Sequence, residues 1–335
     1  LEPGSVFKPA SLLVALDDGV VDTTCHVETG CGVWQMYGRD MKDHNWRKGG
    51  YGRLTFAQTL WYSSNIGVSR IIDDHYRNNP EKFVKGIHRI GLADDLKIPL
   101  VGATPARIRM PHKNSHGQYD NWSKTALPWM SIGYETQVPP MNILTFYNAI
   151  ANNGVMVRPK FVKAAIKNGE IVKEYPTEII NPKICSERTL KQIQEILYKV
   201  VHEGLAAPAG SKQFAVSGKT GTAQISQGAA GYKSGRVNYL VSFCGYFPSE
   251  APKYSCIVSI QKPGLPASGG LMAGSVFSKI AERVYAKDLR LDIRNAIDTN
   301  TVVIPDVKAG EMIEARQVLE GLNIQTQAEF KAKKN

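Results

Sequence analysis

The spacing of apolar residues along the chain predicts six helices. In the first, Leu12, Leu13 and Leu16 form an apolar stripe. Pro9 restricts where this helix begins, because a proline inside a helix clashes with the carbonyl four residues earlier. Ser5 should therefore lie at the helix start. The predicted helices span residues 1–19, 54–76, 81–92, 139–153, 186–203 and 270–286.

Segments rich in Val, Tyr, Phe and Ile predict β-strands in the second half of the chain. A symmetric turn near Glu250 would place Cys244 opposite residue 257 of the next strand. Cys244 and Cys256 should then face opposite sides of the sheet, which argues against a disulfide between them. A turn at Asn168-Gly169 predicts a smaller β element upstream. The predicted strands cover about 213–225, 236–247 and 254–262, and the β element covers 155–180.

Other segments show little periodicity. Residues 22–53 are rich in Gly, Asp and His and predict a long ordered loop, and residues 97–130 are loop-like with several prolines. Residues 291–300 have the composition of a linker. Residues 301–335 predict a short strand, a helix and the start of another strand. We therefore expect one main domain at 1–290 and a small C-terminal segment.

The composition is that of a soluble globular protein, with 335 residues of which 43% are hydrophobic and 21% charged. A net charge of +11 favours anionic partners such as an acidic polymer or an acidic membrane face. The alternative is a basic surface that binds no specific partner. Nucleic acid is not expected as a partner, because the basic residues are scattered and no nucleic-acid-binding motif is present. No segment approaches the run of about 18 apolar residues that a membrane span requires.

The cysteines are too few for a disulfide scaffold. Cys25 and Cys31 flank a glycine-containing loop and could form a bridge, which the sequence does not decide. Together with His26 and His44 they could also bind zinc, but their spacing is irregular for such a site. We therefore expect no metal.

Ser5 and Lys8 have the spacing that nucleophilic catalysis without a histidine base requires. Residues three apart on a helix lie on one face, and a lysine whose neutral form is accessible can take the serine proton. The helix start also offers free N–H groups and a favourable dipole to a developing oxyanion. The same spacing recurs at Ser259 and Lys262, but at a strand end, where the two side chains would not share a face.

Ser63 and Asn65 form a second candidate pair, a hydroxyl and an amide two residues apart at a helix end or loop. Alone, this pair is as typical of an ordinary helix cap or turn. It gains weight only in combination with the other motifs.

Lys219, Thr220, Gly221 and Thr222 form a third motif on a predicted strand. The ammonium group and the two hydroxyls suit a carboxylate ligand. Gly221 would let a ligand backbone approach the strand closely. The three motifs together are a known signature of serine acyl-transfer enzymes.

In these segments, and in their order and spacing, residues 1–290 resemble the penicillin-binding transpeptidases. The resemblance implies a serine β-lactamase/transpeptidase-like α/β (α+β) fold, with an antiparallel sheet flanked by helices, and no cofactor. It also implies peptidoglycan stem peptides as substrates and β-lactams as covalent inhibitors. The matching segments are EPGSVFKP at 2–9, SSNIG at 63–67, GYE at 133–135, SGKTGTAQ at 217–224 and GG at 269–270.

The resemblance assigns a role to each candidate residue of the first two motifs. Ser5 attacks the carbonyl of the penultimate D-alanine of a stem peptide. Lys8 accepts the serine proton. Ser63 relays a proton, and Asn65 holds the substrate amide and Lys8.

The third motif binds the substrate in the same scheme. Lys219 tunes the electrostatics of the site, and Thr220 and Thr222 bind the terminal carboxylate of the peptide or of a β-lactam. Gly221 lies between them. The backbone N–H groups of Ser5 and Thr222 form the oxyanion hole.

The C-terminal segment resembles the opening of a PASTA domain, a module found on some division-type class B penicillin-binding proteins. The matching residues are VIPDV at 303–307, EARQVL at 314–319 and GLN at 321–323, about half a module. A generic β-α linker segment is the alternative. The resemblance implies an inner-membrane protein with an extracytoplasmic catalytic domain and an anchor outside this sequence. It also implies membrane proteins of the division or elongation machinery as partners.

In the family, the central sheet also uses strands that precede the nucleophile, and we expect those strands to lie outside this sequence. Two other functions share the motifs: a serine β-lactamase, which activates water, and a β-lactam sensor. A carboxypeptidase, with water as acceptor, is a variant of the transpeptidase. No clear deacylation motif is present, although Glu135 and Asp120 offer carboxylates between the second and third motifs.

Overall fold

The computed structural model describes residues 1–225 and 237–295, together with Gln317 and Gly321. The chain divides into two compact units, Leu1–Tyr285 and Ala286–Asn335. Apart from the helical residues Gln317 and Gly321, the predicted PASTA-like segment lies outside the described residues. The first five residues of the predicted linker belong to the last helix, and the rest of the linker is not described.

Five of the six predicted helices are present, although the first begins at Lys8, after a 3-10 turn, and not at residue 1. A further helix, Ala126–Ser131, lies at the end of the segment 97–130, which was predicted to be loop-like. Ser186 caps the helix that follows it by accepting the Thr189 N–H at 3.3 Å. The predicted helix at 54–76 is wrong, because the chain is broken at residues 62–64 into two helices. The helices are α1 (Lys8–Asp17), α2 (Phe56–Trp61), α3 (Asn65–Tyr76), α4 (Pro80–Arg89), α5 (Ala126–Ser131), α6 (Pro140–Ala151), α7 (Glu187–His202) and α8 (Ser275–Asn295).

Helix α1 lies at the centre of the helical part. Every residue from Lys8 to Leu16 is buried, and the helix packs against α3, α4 and α7. A helix that is surrounded on all sides must be apolar nearly all round, which explains the run of Leu, Val and Ala in its sequence. Lys8 and Ser11 are the polar exceptions in this run, and both are fully buried.

The described residues also form five short two-stranded sheets. Four of their strands lie within residues 22–55, so the predicted loop there is ordered, as expected, but contains short hairpin-like pairings. The predicted turn at Asn168-Gly169 is confirmed, with both residues at positive φ. The pairs are β1 (His26–Glu28) with β4 (Arg53–Thr55), β2 (Val33–Met36) with β3 (Arg39–Lys42), β5 (Arg107–Ile108) with β6 (Thr136–Gln137), β7 (Met156–Val157) with β10 (Ile179–Asn181), and β8 (Ala164–Lys167) with β9 (Glu170–Glu174).

The main sheet contains three antiparallel strands in the order β11 (Ser217–Gln224), β12 (Tyr239–Phe247) and β13 (Tyr254–Gln261). Cys244 pairs with Ile257, and Gly245 pairs with Cys256, which confirms the predicted register. All five cysteines are free, including Cys25 and Cys31. Within the described residues β11 pairs only with β12, so its other edge is open.

Neither a candidate metal site nor a candidate membrane-spanning helix is found in the described part of the chain. There, no three His, Cys, Asp or Glu side chains gather closely enough to hold a metal ion, so the zinc alternative has no geometric support. Among the same residues, no helix has both the length and the apolar character of a membrane span.

Gly50, in the loop before β4, lies against the backbone of residues 30–32, and replacing it should lower the stability of the fold. It has φ +72°, and a Cβ there would lie 2.2 Å from the Cys31 carbonyl carbon. Gly38 has a similar φ of +80° but nothing within 4 Å. Gly38→Ala should therefore cost only the left-handed backbone penalty of about 1–2 kcal/mol. Gly50→Ala should lower the free energy of unfolding by a further ~1–3 kcal/mol, because its Cβ overpacks the loop. Urea unfolding experiments measure the difference. Equal losses for the two variants would contradict the close approach.

Candidate active site

Ser5 lies in a single 3-10 turn, Gly4–Val6, directly before α1. Pro9 occupies the first turn of α1, where its missing N–H is not needed, so the predicted position of Ser5 at the helix start is confirmed. The turn is held at both ends. The Gly4 N–H donates to the Gly133 carbonyl at 3.1 Å, and the Tyr147 hydroxyl donates to the Val6 carbonyl at 3.0 Å.

The Lys8 ammonium group lies on the face of α1 that meets the second motif. Its Nζ donates to the Ser63 carbonyl at 2.6 Å and to Asn65 Oδ1 at 2.8 Å, and lies 3.3 Å from Ser63 Oγ. Burial lowers the pKa of Lys8 from 10.5 to about 7, against the opposing charge of Asp43. Lys8 is therefore poised to exchange a proton near neutral pH.

The second motif occupies the break between α2 and α3. Ser63 has φ +53°, an unusual backbone conformation for a residue with a side chain. Ser64 caps α3 by accepting the Gly67 N–H at 2.8 Å. Asn65 is the first residue of α3, and its amide nitrogen donates to the Lys42 carbonyl at 2.7 Å. The cap and the break together turn Ser63 and Asn65 toward Lys8.

Asp43 supports this break, and sequence reasoning missed it. Its carboxylate is buried, accepts the Ser64 hydroxyl at 2.7 Å and accepts the Ile66 N–H at 3.0 Å. It thus fixes the start of α3 from a loop position 21 residues before Ser64. No motif or periodicity marks Asp43 in the sequence, and only its contacts reveal it.

Lys219 brings the third motif to the same point. Its side chain is fully buried, and its Nζ donates to Ser63 Oγ at 2.8 Å and to the Thr220 carbonyl at 3.1 Å. Burial, followed by the nearby charge of Lys8, lowers the pKa of Lys219 well below its usual value. Ser63 Oγ therefore lies between two lysine nitrogens, from which it can accept two hydrogen bonds while keeping its own proton to donate.

The open edge of β11 presents the Thr222 N–H. The Ile225 N–H donates to the Asn238 carbonyl at 2.9 Å, toward the partner strand, whereas the Gln224 N–H donates to the Tyr134 hydroxyl at 3.1 Å, away from it. Backbone N–H groups alternate in direction along an antiparallel strand. The Thr222 N–H, two residues before Gln224, therefore points out of the open edge.

Ser5 lies directly opposite Thr222. A Cβ built on Gly4 would lie 2.7 Å from Ala223 Cβ, and one built on Gly221 would lie 3.1 Å from Val6 Cγ1. The residues on either side of Ser5 thus touch the residues on either side of Thr222. The structure thus brings Ser5 to the edge of β11 that does not pair with β12, where the Thr222 N–H points outward.

The two threonines of the third motif differ in their surroundings. Thr222 is exposed, and its hydroxyl accepts the Gly269 N–H at 3.1 Å, which leaves its own proton free to donate. Thr220 is largely buried, with its hydroxyl 3.4 Å from Lys219 Nζ. Both hydroxyls can therefore donate hydrogen bonds near the buried Lys219 side chain.

The structure shows a packing requirement for a glycine at position 221. A Cβ at this position would lie 2.5 Å from Ser242 Oγ and 3.1 Å from Val6 Cγ1, both atoms of the protein itself. A glycine is needed here because β11, β12 and the turn that carries Ser5 pack closely. Its backbone still lies between the two threonines.

The two carboxylates weighed as water-activating bases are both paired elsewhere. Glu135 Oε2 accepts a hydrogen bond from Arg109 at 2.8 Å, and Asp120 lies 3.0 Å from His112 Nδ1. Neither contact involves Ser5, Lys8 or the third motif.

Comparison with protein families gives one match over most of the chain. The family model described as "Penicillin binding protein transpeptidase domain" matches residues 1–282. All three motifs and the three strands of the main sheet fall within this range.

Individual relatives agree with the family match. The chain is 26% identical to stage V sporulation protein D of Bacillus subtilis (strain 168), over 96% of this chain and 49% of that protein. It is 27% identical to a probable peptidoglycan D,D-transpeptidase, PbpC, of Pseudomonas aeruginosa, over 83% of this chain and 45% of that protein. The chain thus spans about half the length of the curated relatives it matches.

Solved structures show the same fold. The TP domain of penicillin-binding protein 3 from Burkholderia pseudomallei superposes with a TM-score of 0.70 at 28% identity, over 86% of this chain and 79% of that chain. The predicted mixed α/β fold with an antiparallel sheet flanked by helices is therefore confirmed.

Proposed function

The chain belongs to the penicillin-binding protein transpeptidase family, and we propose that it is a peptidoglycan DD-transpeptidase with Ser5 as its nucleophile. The observation that carries this proposal is the position of Ser5, opposite the outward-pointing N–H of Thr222 and three residues before the buried Lys8 at the start of α1. No cofactor is needed for such a reaction.

Acylation begins when neutral Lys8 takes the proton of the Ser5 hydroxyl. Ser5 Oγ then bonds to the carbonyl carbon of the penultimate D-alanine, and the N–H groups of Ser5 and Thr222 stabilise the oxyanion. Ser63 lies between Lys8 and Lys219 and can pass a proton toward the leaving D-alanine nitrogen. The C–N bond breaks, and an ester on Ser5 remains.

The donor peptide would lie along the open edge of β11. Its terminal carboxylate would accept hydrogen bonds from the hydroxyls of Thr220 and Thr222, with the Lys219 charge behind them. Asn65 would hold the side chain of Lys8 and an amide of the substrate. An amine from a second stem peptide then attacks the ester, which restores the Ser5 hydroxyl and forms the cross-link.

The fate of the ester separates the transpeptidase from the β-lactamase and the carboxypeptidase. Water at about 55 M would compete with the acceptor amine if a base were aimed at the ester. The pairing of Glu135 with Arg109 and of Asp120 with His112 favours the transpeptidase.

We expect fast acylation by nitrocefin, followed by release over many minutes. The measurement is a burst of one equivalent per protein, followed by a slow steady rate. Many turnovers per second would instead assign the protein as a β-lactamase and make Glu135 or Asp120 the candidate base.

Transfer itself should be tested with a peptide thioester donor and a D-amino acid acceptor. The proposed function predicts that added acceptor diverts the acyl group from hydrolysis to transfer, in a reaction that penicillin blocks. Product that forms only by hydrolysis at every acceptor concentration would assign a carboxypeptidase. Acylation without any turnover of the thioester would favour a sensor.

We also propose that the intact protein is a class B, division-type penicillin-binding protein. Its similarity to stage V sporulation protein D covers 96% of the chain and so extends beyond the family match. Under this proposal residues 301–335 begin a PASTA domain, and a membrane anchor holds the catalytic domain outside the cytoplasm. Membrane proteins of the division or elongation machinery would be its partners.

A further inference from the structure

Gly133, Tyr134 and Glu135, here called the strap, connect three segments around the nucleophile. The Gly133 carbonyl accepts the Gly4 N–H at 3.1 Å, and the Tyr134 hydroxyl accepts the Gln224 N–H at 3.1 Å. The Glu135 N–H donates to Glu2 Oε1 at 3.0 Å. One short segment thus contacts both the turn that carries Ser5 and the strand that carries Thr222.

The strap has little freedom to move. A Cβ built on Gly133, which has φ +86°, would lie 2.2 Å from the Gly4 carbonyl oxygen. Glu135 has φ +59°, a conformation that is unfavourable for a residue with a side chain and that persists only where surrounding contacts enforce it. The Arg109–Glu135 ion pair and the Glu2 contact are two such contacts.

Tyr134 acts on the edge of β11 that faces the nucleophile. Its hydroxyl accepts the N–H of Gln224, and that N–H points in the same direction as the N–H of Thr222. The end of β11 is therefore fixed to the strap on one side, and the nucleophile turn is fixed to the strap on the other.

We propose that Tyr134 is a positioning residue that sets the separation between the N–H groups of Ser5 and Thr222. This inference rests on the proposed function, because those two N–H groups matter as a pair only if they stabilise an oxyanion. Tyr134 does not touch the reacting atoms. It acts through Gln224, by holding the strand edge at the distance from the Gly4 turn that the oxyanion requires.

Tyr134→Phe tests the proposal, since it keeps the ring and removes the oxygen that accepts the Gln224 N–H. We expect the acylation rate constant for nitrocefin to fall about tenfold, because small displacements of catalytic groups have large effects on rate. The dissociation constant of the non-covalent complex should not change. The two constants are separated by stopped-flow measurements over a range of nitrocefin concentrations.

Tyr76→Phe is the matched control, because the Tyr76 hydroxyl donates to Asp18 at the ends of α3 and α1 that lie opposite to Asn65 and Lys8. Its acylation rate constant should equal that of the unmodified protein. The midpoint pH of acylation should stay the same in Tyr134→Phe, because the surroundings of Lys8 are unchanged. An unchanged acylation rate constant in Tyr134→Phe, or a change confined to the dissociation constant, would overturn the proposal.

If Tyr134→Phe proves unstable, a second pair of variants tests whether the strap sets the position of the Gly4 turn. Gly133→Ala should lower the acylation rate constant of the folded fraction, since its Cβ would displace Gly4. Gly117→Ala, at a similar φ of +73° with nothing within 4 Å, should not. If the unmodified protein fails to react with β-lactams, the proposed function fails. If it reacts and both strap variants react equally well, only the role of the strap fails.

Discussion

Replacing Ser5 by alanine should abolish covalent labelling by benzylpenicillin. Loss of the nucleophile in a serine acyl-transfer enzyme lowers the rate by a factor on the order of 10⁶, so no adduct should accumulate within hours. Alanine fits the 3-10 turn of Gly4–Val6 without new contacts, and the fold should persist. Intact-protein mass spectrometry measures the adduct, and thermal unfolding verifies the fold.

Ser259→Ala is the matched control, because Ser259 and Lys262 repeat the spacing of Ser5 and Lys8 elsewhere in the chain. Ser259 is exposed on β13, and its replacement should leave labelling complete. Peptide mapping of the unmodified protein should find the adduct on the peptide that contains Ser5. An adduct that persists in Ser5→Ala, for example on Ser63, would reject Ser5 as the nucleophile.

The parts of the fold that could be predicted depend on local chemistry. Pro9 alone limited the start of α1, and the helix indeed begins one residue before it. The symmetric turn near Glu250 was enough to pair Cys244 with Ile257. In both cases a covalent restriction or a period of two acts within a few residues, and distant contacts do not change the outcome.

The break at residues 62–64 could not be predicted, because distant residues stabilise it. The apolar spacing of 54–76 continues through the break, so periodicity favours one helix. In the structure, Asp43 accepts the hydroxyl of the capping Ser64, and Lys8 donates to the Ser63 carbonyl. These contacts offset the unfavourable φ of Ser63, and both partners lie outside the segment whose periodicity predicted the helix.

Motifs identified the site residues but not how they are supported. The roles of Lys219 and Ser63 were suggested by their residue types, whereas the shared position of Ser63 between two lysines required coordinates. Gly221 shows the same limit, since its residue type was consistent with ligand approach and the close neighbours proved to be Ser242 and Val6. A glycine reveals that something approaches closely, but not what approaches.

Lys8 and Lys219 lie on either side of the Ser63 hydroxyl, and their closeness limits how many protons the two amines can hold together. Two ammonium groups on one hydroxyl repel each other, and each lies in a region from which water is largely excluded. The charge of Asp43 acts on Lys8, whereas the largest effects on Lys219 are burial and the charge of Lys8, both of which lower its pKa. We infer that the pair shares its protonation and that loss of one proton is readily reached near neutral pH.

Acylation should therefore depend on pH with a midpoint near the Lys8 pKa of about 7. Only neutral Lys8 can accept the Ser5 proton, so the acylation rate constant should be constant above the midpoint. Below the midpoint it should fall about tenfold for each pH unit as Lys8 becomes protonated. Stopped-flow acylation by nitrocefin in buffers from about pH 5 to 9 measures the profile, and a flat profile would reject Lys8 as the base.

Variants of Lys8 distinguish a base from a simple positive charge. Lys8→Arg keeps the charge but cannot lose its proton, and Lys8→Met keeps the length without the amine. Because a base is required, both should lower acylation by about 10³-fold or more, within the range found when a member of such a catalytic unit is removed. Lys262→Met, in the repeated spacing at the end of β13, should have no effect. Asp43→Asn removes the charge that favours the ammonium form, so it should lower the Lys8 pKa and move the acid limb to lower pH. Activity retained in Lys8→Arg would assign Lys8 an electrostatic role and make Lys219 the candidate base.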